Sequence, residues 1–386
     1  MAAAAARAEP YEQLPLRHGA AGEQHQLRGM AVTTGVLLAM MCVLLSLSLL
    51  VLAGVSGGSA FQQISGFGCE APMSPTGASL RRVANGSCWS HATSDNDALP
   101  PLKLDQIRFI VVGDTGRDGF CCQSDVALEM DRVPNVSFVA STGDAFFNSG
   151  LATAHDAQVR TSWSDVYQSR RPLPWYAVLG NRDYRGNVDA LLELHASEPL
   201  WTLPGRFWDR VVKRGRVRLH LVFLDTTPMM ARYHLDTAPE RAHVESQWPR
   251  VDAQLAWLRG TLTGSSPGLT RLVFGHHPVY DSGSERDNAL RASLAPLFNH
   301  SRVAAYFAGH EHSLQAHRPL HERTAYFISG AGSKIDGYFA AADDGQEFYY
   351  DEGPGFVVVT AAVGGALRVD FVAARSGALV HTTTLP

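Results

Sequence analysis

The chain has 386 residues, 45% of them hydrophobic, which supplies core for one large or two ordinary domains. Basic side chains number 33 and acidic ones 37, so the net charge is near balance, and there is no basic tract of the kind that nucleic-acid binding needs. Five cysteines match no zinc-finger spacing, and no repeat of solenoid length is present.

Residues 1–29 open with an alanine-rich run, continue polar, and are expected to be a disordered tail. Tyr11-Glu12-Gln13-Leu14 fits the tyrosine-plus-bulky-residue pattern of endosomal or lysosomal sorting, a pattern also common by chance. Residues 30–55 contain no charge and are long enough to cross a bilayer core of about 30 Å as one transmembrane helix. A cleaved signal peptide is the alternative, with Gly58-Ser59-Ala60 as the cleavage site. The run exceeds the usual signal-peptide core of about 7–15 residues and follows a long tail, which favours an uncleaved signal anchor. Arg17 and Arg28 precede the span, and the first basic residue after it is Arg81. The tail is therefore expected in the cytosol and the remainder in a lumen or outside the cell, at endosome, lysosome or cell surface. Sequons at Asn85, Asn135 and Asn299 agree with that orientation. Cys69 and Cys88 flank a short polar loop and are a candidate disulfide. Cys42 is an apolar filler of the span, and Cys121-Cys122 read as core residues, a vicinal disulfide or an added ligand. Residues 56–103 read as a juxtamembrane stalk that ends at Pro100-Pro101, and residues 104–386 as the catalytic domain.

In that domain, five apolar runs each end in Gly followed by a metal-competent side chain. They are FIVVG before Asp114, FVASTG before Asp144, WYAVLG before Asn181, RLVFG before His276, and AAYFAG before His310-Glu311-His312. Each reads as a buried strand that turns sharply at a glycine. Two Asp, one Asn and three His at strand ends form the ligand set of a two-metal hydrolase. Helices are expected over Ser124–Val133, His155–Gln168, Asn187–His195 and Asp252–Leu262, the last with Asp252 as N-cap. The chain ends in three closely spaced strands, Gly355–Ala362, Ala366–Ala373 and Ala378–Leu385, expected as antiparallel hairpins.

The blocks GDTG, GDAFF, GNRDY, GHHPVY and GHEHSLQ resemble, in order, those of the metallophosphoesterases, and most closely the small tartrate-resistant (purple) acid phosphatases. The resemblance spans roughly residues 104–386 and implies an α/β fold, a two-sheet β-sandwich flanked by helices with the metals at one edge between the sheets. It implies a phosphomonoester hydrolase of acid-phosphatase type acting on a small phosphomonoester or a phosphoprotein. Asp144 matches the bridging ligand, Asp114 and His312 match ligands of the first metal, and Asn181, His276 and His310 match ligands of the second.

Two departures stand out. A tyrosine that ligates ferric iron in the purple enzymes is Phe147 here, and the histidine that other metallophosphoesterases place two residues after the first Asp is Gly116. Two divalent or iron-type ions (Fe, Zn or Mn) are therefore expected, without a ferric-tyrosinate centre. The histidine after the block-three Asn is Arg182, which clamps phosphate but donates no proton near neutral pH. A second family histidine falls near Glu285, a candidate general acid. The alternative reading is a protein of this fold with weakened or lost catalysis that binds phosphorylated ligands.

Overall fold

The computed structural model describes residues 80–82, 88–90, 99–120, 122–264, 268–282, 288–337 and 341–386. The expected tail and span, Cys69 and Glu285 lie outside them. Among the described residues no helix is long and apolar enough to cross a membrane.

The first strands, β1 (Leu80–Arg82) and β2 (Cys88–Ser90), pair as a short antiparallel ladder. The main body follows as β3 (Gln106–Val112), α1 (Cys122–Arg132), β4 (Val136–Ser141), β5 (Trp175–Ala177), α2 (Val188–Ser197) and β6 (Trp201–Thr202). Next come β7 (Trp208–Arg214), β8 (Val217–Phe223), α3 (Arg241–Thr263), β9 (Thr270–Phe274), α4 (Asn288–His300) and β10 (Ala305–Ala308). The chain closes with β11 (Leu314–His317), β12 (Ala325–Ser329), β13 (Gln346–Tyr350), β14 (Gly355–Ala362), β15 (Leu367–Ala373) and β16 (Ala378–Leu385). Two seven-stranded mixed sheets result, ordered β16-β15-β14-β3-β4-β5-β6 and β13-β11-β12-β10-β9-β8-β7.

Each sheet has a parallel run: β3 to β6, reaching one edge, in the first, and β8, β9, β10 and β12 in the second. Parallel strands are covered on both faces, and β3 is buried from Ile107 to Val112 accordingly. Its inner face meets the other sheet through aromatic rings: Phe109 stacks on Phe138 at 4.7 Å and meets Phe274 of β9 edge-on at 6.4 Å. Tyr176 meets Phe223 at 6.3 Å, and Phe371 meets Phe348 at 5.0 Å, so the same contact recurs along the interface. On the outer face, Ala127 and Met130 of α1 and Tyr167 of a π-type helix (Val159–Gln168) lie against Ile110, Val139 and Trp175. The terminal hairpins form as expected, with β14 pairing β3 and β15, and β15 pairing β16, all antiparallel.

Two helix starts differ from expectation. The helix expected from Asp252 begins at Arg241, and Asp252 lies exposed in its middle. An exposed Asp inside a helix costs less than 1 kcal/mol, too little to stop it, while Leu258 and Leu262 fix the buried face. The helix expected from His155 begins at Val159, because the Asp156 carboxylate accepts the Gln158 N–H at 3.0 Å and turns the chain in. One buried cation ties the chain entry to the sheet. Arg108 of β3 is fully buried and donates to Thr360 Oγ1 and to the carbonyls of Pro134 and Pro100.

Candidate metal centre

The C-terminal ends of β3, β4 and β5 in one sheet, and of β9 and β10 in the other, point to a common edge. Asp114, Asp144 and His310 all sit there with positive φ, at 58°, 52° and 70°. Left-handed backbone in non-glycine residues is costly and is kept where the surroundings over-determine it. Here the backbone turns aim the side chains inward, and neighbouring glycines make room. A Cβ at Gly180 would meet Asp144 Oδ1 at 2.1 Å, and one at Gly309 would meet Asp114 Oδ2 at 2.6 Å. The carboxylates are fixed by backbone donors: His310 N–H donates to Asp114 Oδ2 at 2.8 Å, and Arg182 N–H donates to Asp144 Oδ1 at 2.7 Å.

Four donors converge on one point. His276 Nε2 lies 3.1 Å from Asn181 Oδ1, 3.2 Å from His310 Nδ1 and 3.6 Å from Asp144 Oδ2. His276 Nδ1 sits 2.8 Å from the Thr142 carbonyl, which can only accept its N–H and so fixes the tautomer. Burial holds the His276 pKa down despite Asp114 nearby, so the ring is neutral. Its Nε2 lone pair therefore faces a carbonyl oxygen and a carboxylate, three electron-pair donors set as a cation would need them. On the other side, Asp114 Oδ1 is buried 3.4 Å from His312 Nε2. This donor set fits a pair of metal ions. It brings together all six ligand positions expected from sequence.

Charge in the centre is unevenly held. Burial and then the Asp114 charge push the Asp144 pKa well up; burial acts the same way on Asp114, but the His312 hydrogen bond and the neighbouring imidazoles outweigh it and hold the Asp114 pKa down. His312 resists burial because Asp114 at Nε2 and Asp336 at Nδ1 (2.7 Å) hold a proton on it, raising its pKa to about 9. Asp336 supplies a carboxylate beside the His312 imidazole, the kind of partner that orients a ligand histidine.

Phe147 occupies the first-metal side. Its ring meets the His312 ring edge-on at 6.1 Å. Gly116 admits no side chain there: a Cβ would meet the Ala145 carbonyl oxygen at 1.8 Å. Arg182 reaches Asp144 Oδ2 at 3.9 Å. Asp183, beside it, is buried and accepts the Gly180 N–H at 2.8 Å, a local cap.

Several residues of the centre escape sequence reasoning. Arg232, from the turns after β8, places Nη2 3.1 Å from His310 Nε2. His277 adjoins the cluster, but its Nδ1 lies 2.8 Å from Thr226 Oγ1 and its Nε2 2.9 Å from Tyr233 OH. Those bonds engage both nitrogens, so His277 positions the loop rather than binding metal. Its doubled-His motif is a visible signal; Arg232, Thr226 and Asp336 carry none.

Comparisons with known proteins agree with this geometry. Residues 107–314 match the family model described as calcineurin-like phosphoesterase. Purple acid phosphatase 4 of Arabidopsis thaliana is 34% identical over 269 residues, which cover 66% of this chain and 76% of that protein. Tartrate-resistant acid phosphatase type 5 of Homo sapiens is 29% identical over 251 residues, 60% of this chain and 74% of that protein. Among solved structures, GAP50, the anchor in the inner membrane complex of Plasmodium, aligns with a TM-score of 0.60 at 23% identity, over 72% of this chain and 88% of that one. Purple acid phosphatase PPD1 from yellow lupin (Lupinus luteus) seeds aligns at 0.54 and 14%, over 79% and 58%. At such identities these two likenesses concern the fold. With the family model covering more than half of the sequence, the chain belongs to the calcineurin-like phosphoesterase family.

Proposed function

We propose that this protein is a metal-dependent phosphomonoester hydrolase of the acid-phosphatase type. One observation carries the reading: Asp114, Asp144, Asn181, His276, His310 and His312 converge from five strand ends at the shared edge of the two sheets. Asp144 would be shared by two ions, Asp114 and His312 would hold the first, and Asn181, His276 and His310 would hold the second. When bound, the ions polarise the phosphoryl group and acidify the attacking water. The chain's own residues do the rest. Thr142 and Asp336 orient the imidazoles, Arg182 clamps phosphate oxygens, and burial of both carboxylates keeps the field undiluted by solvent. Arg182 transfers no proton; Glu285, outside the described residues, is a candidate by sequence spacing alone to protonate a leaving alcohol. Fe(II), Zn or Mn fit the first position better than Fe(III), because Phe147 offers no anionic oxygen. A charge-transfer band in the visible spectrum of the iron-loaded protein would contradict that assignment.

The reading is tested with an aryl phosphate from pH 4 to 8 on metal-replete protein. Asp144→Asn is expected to lose at least about a hundredfold in kcat/KM and to bind less metal, because both ions depend on one carboxylate. Absence of turnover in the wild type, with undiminished metal content in Asp144→Asn, would refute it. A second reading, a phosphate-binding protein with weakened catalysis, is favoured by Phe147 and by the guanidinium of Arg232 on His310. Phosphate binding without turnover would select it.

We also infer that residues 30–55 anchor the protein with the domain on the lumenal or extracellular side. Asn135, exposed at the turn before β4, supports this as a glycan acceptor. In sealed microsomes the domain should be protease-protected and glycosylated; a mature amino terminus near Phe61 would replace the anchor by a cleaved signal.

A further inference from the structure

The hairpin of β7 and β8 concentrates positive charge far from the metal centre. Residues 210–218 hold five basic side chains, Arg210, Lys213, Arg214, Arg216 and Arg218, and no acidic one, in a chain whose net charge is -4. Whole-chain balance hides this concentration. β7 is the edge of its sheet, and Arg210, Lys213, Arg214 and Arg216 are exposed on it and its turn. Among the described residues Lys213 and Arg214 form no ion pair. The ladder sets Lys213 directly opposite Arg218, and like charges so placed weaken a strand pair. Asp209 and Asp105, which adjoin the hairpin, are engaged: Asp209 lies 2.7 Å from His220 Nε2, and Asp105 accepts from Arg216 Nε at 3.1 Å. The Arg210 guanidinium is seated over the Tyr176 ring at 4.9 Å. The tip is held as well. Gly215 turns with φ 55°, and a Cβ there would meet Asp105 Oδ1 at 2.2 Å, so the turn seats against the residue before β3. β8 pairs β9 in parallel with Phe223 beside Phe274, two residues before His276. The tip is therefore at the opposite end of β8 from the metal centre, about 20 Å away along a seven-residue strand.

We infer that this hairpin is a docking surface for a linear sulfated polysaccharide. The charges lie along an exposed edge and not in a cleft, so a single small anion meets them one at a time and stays screened by solvent. A polymer with sulfates on successive units engages several at once and releases its condensed counterions, the main source of affinity in polyanion binding. Sulfates set between Lys213 and Arg218 turn a costly like-charge pair into a favourable one. Arg210 to Arg214 spans about 14 Å at the rise of an antiparallel strand, room for repeated contacts along one chain. Dense Lys and Arg runs serve sulfated glycans and nucleic acids alike. Residues 209–218 contain no aromatic side chain for a base to stack on, which favours the glycan. The choice also rests on the lumenal or extracellular placement proposed above, since the strongly anionic membrane leaflet is the cytosolic one.

The test uses the metal-loaded full chain in detergent and immobilised heparin as the probe. The wild type should bind heparin and not its desulfated form. Lys213→Ala/Arg214→Ala should weaken binding by at least about tenfold and lower the slope of log affinity against log salt by about two. Removing equal charge from exposed positions of α3, as Arg250→Ala/Arg259→Ala, should leave the affinity within about threefold. Turnover of an aryl phosphate should be unchanged in the hairpin variant, because the hairpin tip is remote from the metal centre. Equal heparin affinity in the wild type and the hairpin variant would overturn the proposal. So would an equal loss in the α3 variant, which would make the effect one of net charge. Tighter binding of a thymidine homopolymer, or of phosphatidylserine vesicles, than of heparin would overturn it too. A domain that protease digestion shows to face the cytosol would overturn the partner even with heparin bound in solution, so failure of the placement and failure of the surface are read separately. If the double variant misfolds by circular dichroism, Lys213→Gln carries the comparison: a salt slope reduced by about one supports the proposal, and an unchanged slope overturns it.

Discussion

Single side chains decide how well the centre could hold a metal. His310 meets the other donors through Nδ1, while Arg232 approaches its Nε2. A guanidinium only donates, so Nε2 accepts and the ring proton sits on Nδ1, which then donates to Asn181 Oδ1. A metal at Nδ1 needs the opposite tautomer. Arg232 therefore opposes ligation by His310, and Arg232→Ala is expected to tighten the second metal by about tenfold, the usual weight of an outer partner. Competition with a chromophoric chelator reads this directly; unchanged affinity would show that Arg232 swings aside at no cost. A second side chain acts on stability alone. Asp225 is buried beneath the site, and burial, against help from Tyr184 and Arg206, raises its pKa to about 7. An acid raised above its unfolded value of about 3.9 stays protonated in the fold while the unfolded chain ionises. Its contribution is therefore fully present below pH 4 or so and lost as pH rises to about 7. Asp225→Asn should flatten that part of the stability profile and at pH 7.5 leave the protein as stable as the wild type or more so. Urea midpoints at pH 5 and 7.5 measure it, and a slope equal to the wild type's would exclude Asp225 as its source.

At the scale of elements, what was legible in the sequence is what repeats. Five apolar runs closing in Gly and a ligand gave β3, β4, β5, β9 and β10 and all six donor positions, because a buried parallel strand leaves a continuous apolar trace. The terminal hairpins were legible for the same reason, with glycine turns between alternating strands. Contacts set by tertiary approach left no trace. Arg232 sits on a turn, far in sequence from His310, and only the packing of β8 beside β9 brings them together. Arg117 follows a ligand block but shows no periodicity, and its partner Ser333 lies 216 residues away. The start of α3 was missed because Asp252 resembles a cap locally, whereas Val244, Leu258 and Leu262, buried along one helix, hold the segment as a unit. Phe147 was legible as a departure from the tyrosine pattern. The seating of the Arg117 and Arg182 guanidinium groups over its ring was not, since a ring's stacking partners are a property of the fold.

At the scale of the molecule, the two sheets meet along aromatic contacts and again at the metal centre. Asp114, Asp144 and Asn181 belong to the sheet of β3 to β5; His276, His310 and His312 belong to that of β9 and β10. Bound ions would therefore join the two sheets at the edge where their carboxylates and histidines face each other. Anything that binds the folded state alone stabilises it by mass action, by about 2.7 kcal/mol at a hundredfold excess over Kd. For a domain this large each kcal/mol shifts the melting temperature by about 2–4 °C. Removing metal with a chelator should lower Tm by about 5–10 °C, and readdition of Zn or Mn should restore it. The shift should shrink in Asp144→Asn, which contributes to both positions, and persist in Arg182→Ala, which holds no metal. The cross-link would be disproved by a Tm indifferent to chelation in protein shown to contain two ions. A shift equally large in Asp144→Asn would place the stabilising metal elsewhere in the chain.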